Sequence, residues 1–222
     1  MNPHTLPFSP LTDGNFENDF QNQFKALLSW RRDVRRFRSD PLPSSLIDEL
    51  LNLSALAPSV GNSQPWRYVI IKSAHKRAAI KKHFQTCNAD ALNDYHGEQA
   101  KKYAQLKLSG MDQAPAQIAV FCDQNTNVGH GLGKRTMPET LNYSVVMAVH
   151  TLWLAARARG VGVGWVSILE PKTVQSIVDV SKDWSFVAYL CLGWPQEQHT
   201  DPELVRHGWQ DRVDISNFIS EA

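Results

Sequence analysis

The chain has 222 residues, 23 Lys and Arg against 22 Asp and Glu, a formal net charge of +1, and 42% hydrophobic and 20% charged residues. That length can bury a core without disulfides or a structural metal, and that composition is globular rather than disordered. The near balance of charge speaks against a strongly basic nucleic-acid binder, and three widely spaced cysteines with no C-x-x-C offer neither a zinc knuckle nor a dithiol site.

Residues 1–18 read as a polar arm without an apolar signal segment. The longest uncharged run, 141–156, is broken by Asn142, Ser144, His150 and Thr151 and is too short and polar for a membrane span. The expectation is a cytoplasmic protein with a single domain over 19–222. Phe20, Phe24, Leu27 and Leu28 have helical spacing and predict a helix over about 19–30. Pro41 and Pro43 break the chain. Ser44 or Ser45 then offers an N-cap, with Asp48 three residues after Ser45, for a helix through Ile47, Leu50, Leu51 and Leu53 to Pro58. A β-rich run over 67–72 predicts a strand, followed by two charged helical stretches over 74–85 and 89–108 and a second strand over 117–122. Thr136 and Glu139 have capping-box spacing with Pro138 between them, which predicts a helix starting at Thr136. Leu141, Val145, Val149, Leu152 and Ala156 mark its apolar face and Gly160 its stop. Val146, Ala148 and Trp153 make it apolar over more than one face, so it belongs in the centre of the molecule or against a partner subunit, with His150 a core or interface residue. Strands over 162–169 and 185–192, joined by a short helix from Pro171, complete the chain. Helices outnumber strands and no βαβ alternation is present, so the fold class is α+β. Cys122 and Cys191 lie in apolar runs and read as small core hydrophobes.

The densest chemical feature is Arg31-Arg-Asp-Val-Arg-Arg-Phe-Arg38, where five arginines against one carboxylate leave +4 over eight residues. Guanidinium forks suit phosphate; a solvated basic face has the same composition. The second feature is Ala57-Pro-Ser-Val-Gly-Asn-Ser-Gln-Pro-Trp66, whose Ser59, Asn62, Ser63 and Gln64 could read a polar heterocycle or satisfy their own turn. Two glycine-rich stretches fail their tests. Gly160-Val-Gly-Val-Gly164 enters a strand after a helix, the reverse of a dinucleotide fingerprint. Gly129-His-Gly-Leu-Gly-Lys134 lacks the first P-loop glycine, Val128 standing there, and has Arg135 where Ser or Thr would hold magnesium. The histidines form no metal-binding pair, and neither a G-x-S-x-G elbow nor a nucleophilic cysteine signature occurs.

The Arg-Arg-Asp-Val-Arg run, the Ala-Pro-Ser-Val-Gly-x-x-Gln-Pro-Trp loop and the Gly-Val-Gly strand leading to Ser167, in this order, resemble the FMN-binding nitroreductase superfamily over roughly 20–215. Asp33, where ordinary members usually carry Ser, together with Gly131-Leu-Gly-Lys-Arg-Thr-Met-Pro-Glu-Thr140 and Gly164-Trp-Val-Ser-Ile-Leu169, resembles its dimethylbenzimidazole-forming branch. The resemblance implies a three-layer fold, a central and mostly antiparallel sheet flanked by helices, in an interlocked homodimer with FMN at the interface. It implies that Arg31, Arg32, Arg35 and Arg212 hold the phosphate end. Ser59, Asn62 and Gln64 lie by the ribityl chain and pyrimidine edge, and the Val166 and Ser167 backbone faces the flavin. Asp33 and Ser167 carry the chemistry, and the insert around 89–110 is a lid. The implied reaction consumes reduced FMN with O2, giving 5,6-dimethylbenzimidazole and erythrose 4-phosphate, with NAD(P)H entering only through a flavin reductase that supplies FMNH2. The alternatives are an FMN-retaining NAD(P)H nitroreductase or flavin reductase, and a non-catalytic flavin-binding module. Neither a metal, nor nucleic acid, nor a membrane enters the expected function.

Overall fold

The computed structural model describes residues 15–222. The expected N-terminal arm, 1–18, falls outside the described residues except for its last four, and Asn18 already belongs to the first helix. In chain order the elements are α1 (Asn18–Trp30), α2 (Ser44–Ser54), β1 (Trp66–Ile70), α3 (Ala74–Leu92), α4 (Gly97–Gln105), β2 (Ala116–Asp123), α5 (Thr140–Ala158), β3 (Gly162–Val166), α6 (Pro171–Val178), β4 (Trp184–Gly193) and α7 (Glu203–Arg206). The four strands form one antiparallel sheet in the order β1-β2-β4-β3.

The sheet is covered on both faces, which is why its inner strands read as continuous apolar runs. Alternation along β2 turns Ile118, Val120 and Cys122 toward α2 and α5, while Ala119 and Phe121 turn toward α3 and α6. Cys122 and Cys191 are both fully buried, one in each layer. Val145, Val149, Leu152 and Ala156 of α5 are fully buried against the first face; truncating such a leucine to alanine typically costs about 2–5 kcal/mol. The helix ends as its sequence predicts. Gly160 takes φ +73°, its N–H donates to Arg157 O at 3.0 Å, and the Val161 N–H donates to Ala156 O at 2.9 Å, a left-handed cap that few side chains tolerate.

Four expectations are corrected. α2 is preceded by Pro43 rather than capped by Ser44 or Ser45, both of which lie inside it without a capping bond. The two charged helices do not divide near residue 87: α3 runs unbroken to Leu92, and the break falls at 93–96, before Gly97 at φ +59°. Thr136 caps nothing. Residues 138–139 form a turn, Thr140 Oγ1 donates back to Met137 O at 2.6 Å, and α5 starts at Thr140. Finally, of the two places expected for His150, core or interface, the core is ruled out: it is exposed, beside Tyr143, Val146 and Met147, which are 53%, 42% and 39% exposed on the same side of α5. α1 likewise buries no residue and leaves Phe20 and Phe24 open.

Candidate flavin site

Residues 31–38 run extended, with 33–34 on the free edge of β3 and 36–38 against 194–196, just after β4. The Val34 N–H donates to Val163 O at 3.0 Å, and Asp33 pairs with Val163 in a single parallel bridge. Two glycines on one side of β3 make that approach possible. A Cβ at Gly164 would lie 2.2 Å from Val34 O, and one at Gly162 would lie 2.9 Å from a Val34 methyl. No side chain fits there.

Extended backbone sends alternate side chains opposite ways, and the arginine-rich stretch divides accordingly. Arg32 donates from Nε to Thr200 O at 2.7 Å, and Arg36 bonds both Glu197 and Glu203, at 3.0 and 2.8 Å. These even-numbered residues tie down the segment after β4. Asp33 and Arg35 bond one another instead: Arg35 Nε donates to Asp33 Oδ2 at 2.6 Å, while the Trp165 N–H donates to Oδ1 at 2.8 Å. Burial pushes the Asp33 carboxyl up, against the opposing pull of Arg35 and of the Trp165 N–H. Asp33 can therefore hold a proton at a higher pH than a free aspartate.

Arg31 lies over the Trp153 ring, 5.1 Å from its centroid, and has no hydrogen-bond acceptor among the described residues. Arg212 is exposed and has none either. Arg32 is held below its ordinary value by burial first, then by the charges of Arg31 and Arg212, so the three form one positive group. The sequence-predicted Arg31, Arg32, Arg35, Asp33 and Arg212 thus come together. Of these, Arg32 has most of its donors engaged by the backbone of Thr200, Arg31 and Leu28, and Arg35 retains one terminal nitrogen. Val166 is buried at the end of β3; Ser167 follows it, exposed, its hydroxyl without a partner among the described residues.

Ser59, Asn62 and Gln64 lie elsewhere. Their loop is bonded to α5 by the Val60 N–H donating to Ser144 Oγ, whereas the arginine stretch meets α5 at Trp153, whose Nε1–H donates to Arg32 O. Those two anchors are about 14 Å apart along the helix. Within the loop, Ser59 Oγ accepts the Gln64 N–H, and the Gln64 side chain donates to Asn62. Asn62 and Gln64 adopt φ of +53° and +46°, backbone strain of the kind that collects at binding loops. Ser63 Oγ, between them, is the one buried side-chain polar atom left without a partner among the described residues.

A phosphorylated flavin fits these groups: two guanidiniums without a hydrogen-bond acceptor among the described residues for the phosphate, a carboxyl of raised proton affinity beside a strand end, and an unsatisfied buried hydroxyl in the second loop. No group of three His, Cys, Asp or Glu among the described residues is placed to hold a metal. Sequence reading missed Trp153 and Glu203, and it took Gly162 and Gly164 as part of a motif without their packing role, although G-x-G inside a strand places two missing side chains on one face.

Comparison with known proteins agrees with this geometry. The nitroreductase family model matches residues 28–194. The chain is 56% identical over 197 residues to the 5,6-dimethylbenzimidazole synthase of Rhodospirillum rubrum, covering 89% of this chain and 93% of that one. It is 48% identical to that of Rhodobacter capsulatus, covering 90% and 96%. Among solved structures, iodotyrosine deiodinase bound to FMN and 3-iodo-L-tyrosine superposes with a TM-score of 0.67 at 21% identity, covering 79% of this chain and 91% of that one. A nitroreductase-like protein from Streptococcus mutans gives 0.67 at 20% identity, covering 91% and 99%. At those identities the structural likeness concerns the fold.

Proposed function

The chain belongs to the nitroreductase family, among its 5,6-dimethylbenzimidazole synthases, and on that premise we propose that it fragments reduced FMN with O2, releasing 5,6-dimethylbenzimidazole and erythrose 4-phosphate. Reduced FMN supplies both the electrons and the ring carbons of the product. The observation that carries this reading is Asp33: a carboxyl with raised proton affinity, bound to the Trp165 N–H two residues before Ser167.

The protein's own groups divide the work. Arg31 and Arg212, with the remaining donor of Arg35 and the charge of Arg32, hold the phosphate. Asp33 accepts and returns a proton, which a serine in its place would do poorly near neutral pH. The Ser167 hydroxyl bonds the flavin edge or passes a proton to it, and the Val166–Ser167 backbone faces the ring. Ser59, Asn62 and Gln64 approach the ribityl chain and pyrimidine edge from the second protomer of a homodimer. That dimer covers the open apolar faces of α1 and α5, and residues 19–222 act as its one domain. No helix of the described residues is long and apolar enough to cross a membrane. The reading places the protein in the cytoplasm, with FMNH2 delivered by a separate NAD(P)H-dependent flavin reductase.

Incubation of the purified protein with reduced FMN in air, followed by mass spectrometry, is expected to yield dimethylbenzimidazole. Asp33→Asn should lower its formation about 100-fold or more, in the range of a lost acid–base group. Ser167→Gly should abolish most of it, and both variants should still bind FMN. Turnover of nitro compounds with NAD(P)H and no dimethylbenzimidazole would favour the FMN-retaining reductase instead.

A further inference from the structure

Arg212 is the odd member of the phosphate group. Arg31 and Arg35 sit on a stretch bonded to β3, whereas Arg212 lies in a C-terminal segment whose own hydrogen bonds, over 210–222, all stay within it. Something upstream must set its position. The nearest anchored residue is Trp209. Its N–H donates to Leu204 O at 2.8 Å, and the carbonyl before it, Gly208 O, accepts Lys102 Nζ at 2.7 Å. Its ring meets Tyr95 edge-on at 5.3 Å between centroids and Tyr103 at 6.1 Å, while the two tyrosines stack on one another at 4.8 Å. Tyr103 is buried and fixed by its hydroxyl donating to Asn88 Oδ1 at 2.8 Å.

All three contacts of this segment with Tyr95, Lys102 and Tyr103 fall in the helical insert. That insert is pinned to the site at its other end too, where Arg35 Nη1 donates to Lys107 O at 2.8 Å. Beyond it, a Cβ at Gly110 would strike the Phe37 ring. The phosphate-facing arginines are therefore connected through the insert: Arg35 directly, and Arg212 by way of Trp209.

We propose that Trp209, packed against the stacked Tyr95 and Tyr103, is a positioning residue for Arg212, so that the insert and the phosphate clamp are held as one unit. This rests on the assignment of Arg212 to the FMN phosphate. The contribution of Trp209 is specific to the phosphate end of the ligand, because its ring touches no group assigned to the flavin ring, the ribityl chain or the proton chemistry. Aromatic pairs of this kind hold a surface segment with modest energy, enough to set the position of one exposed guanidinium and too little to set the fold.

The test compares FMN with riboflavin, which lacks the phosphate, by titrating each oxidised flavin into the full-length protein and following flavin fluorescence. Arg212→Ala should weaken FMN binding about tenfold and leave riboflavin within about twofold, a tenfold change being about 1.4 kcal/mol. Trp209→Ala should do the same, Trp209→Phe should recover most of the loss, and Trp209→Ala with Arg212→Ala should bind FMN no more weakly than Arg212→Ala alone. Tyr95→Leu attacks the contact from the insert side and should reproduce Trp209→Ala, which keeps the test open should that variant fold poorly. Parallel loss of riboflavin, or additive losses in the double variant, overturns the positioning role. Equal FMN and riboflavin losses in Arg212→Ala overturn the phosphate assignment itself, and the positioning role with it.

Discussion

Within residues 31–38, neighbours one position apart have opposite fates. Arg32 and Arg36 are satisfied by the chain itself, through Thr200 O, Glu197 and Glu203, and they secure the segment after β4. Arg31 has no acceptor among the described residues, and Asp33 and Arg35 hold each other on either side of Val34, whose carbonyl oxygen lies against Gly164. One run of like charge thus contains side chains bonded to the segment after β4 and side chains left to the proposed chemistry, which alternate along an extended backbone. Charge density marks where such a stretch is; partner geometry tells which members are available.

The largest effect expected on this arrangement comes from filling the space at Gly164. Gly164→Ala places a carbon at 2.2 Å from Val34 O, so Val34 must move off β3. Overpacking of this kind costs about 1–3 kcal/mol or more. Because Val34 lies between Asp33 and Arg35, both sets of side chains should suffer together: thermal stability, FMN affinity and dimethylbenzimidazole formation all fall. Gly160→Ala, where no atom lies within 4 Å but φ is +73°, is the control. It should cost stability only. A Gly164→Ala protein with normal flavin affinity would break the link between the strand contact and the site.

Separate substitutions sharpen the contrast between the two sets. Arg36→Ala leaves Glu203, whose side chain is only 8% exposed, without its strongest partner, and should lower stability by about 1–3 kcal/mol in a denaturant titration. The ratio of FMN to riboflavin affinity should not change. Arg31→Ala should behave inversely, with little change in stability and about a tenfold loss of FMN that riboflavin does not share, as for one charge-assisted bond to phosphate. If Arg36→Ala altered the FMN-to-riboflavin ratio and Arg31→Ala did not, the division by parity would be wrong.

How far this was legible in the sequence follows the same line. β2 and β4 fell within about a residue or two of their predicted bounds because both faces are buried and the apolar runs say so. The position of α1 followed from Phe20, Phe24 and Leu28 at helical spacing, although those side chains turned out to face away from the described core. Local signals misled where tertiary structure decides. Thr136 has the spacing of a cap, but it follows Gly131 and Gly133, both at positive φ, and the turn they form delays α5 to Thr140. The charged insert has no apolar stripe to reveal where α3 ends. Asp33, Arg31 and Arg35 were singled out by the order of motifs, yet nothing in a composition of five arginines could reveal that Arg32 and Arg36 are bonded to Thr200, Glu197 and Glu203. The Gly162 and Gly164 pair was visible, as a failed nucleotide loop and as part of the family motif, but not as the surface on which Val34 packs.

The smallest expected effect is also the most direct measure of Asp33. An aspartate in the unfolded chain releases its proton near pH ~3.9. In the folded protein burial raises that value, outweighing Arg35 and the Trp165 N–H. Above pH ~3.9 and up to the raised value, the folded state therefore binds more protons than the unfolded state, and stability falls as pH rises through that window. Asp33→Asn has no such proton to lose. Its melting temperature relative to the unsubstituted protein should climb from pH 4 upward and level off once the native carboxyl is ionised. The opposite trend, a variant that loses ground as pH rises, would mean that the Arg35 contact outweighs burial and that Asp33 is an ordinary ion-pair partner, as Glu203 is for Arg36. The sign of this pH dependence thus decides whether burial or the Arg35 contact governs the one carboxylate in the cluster.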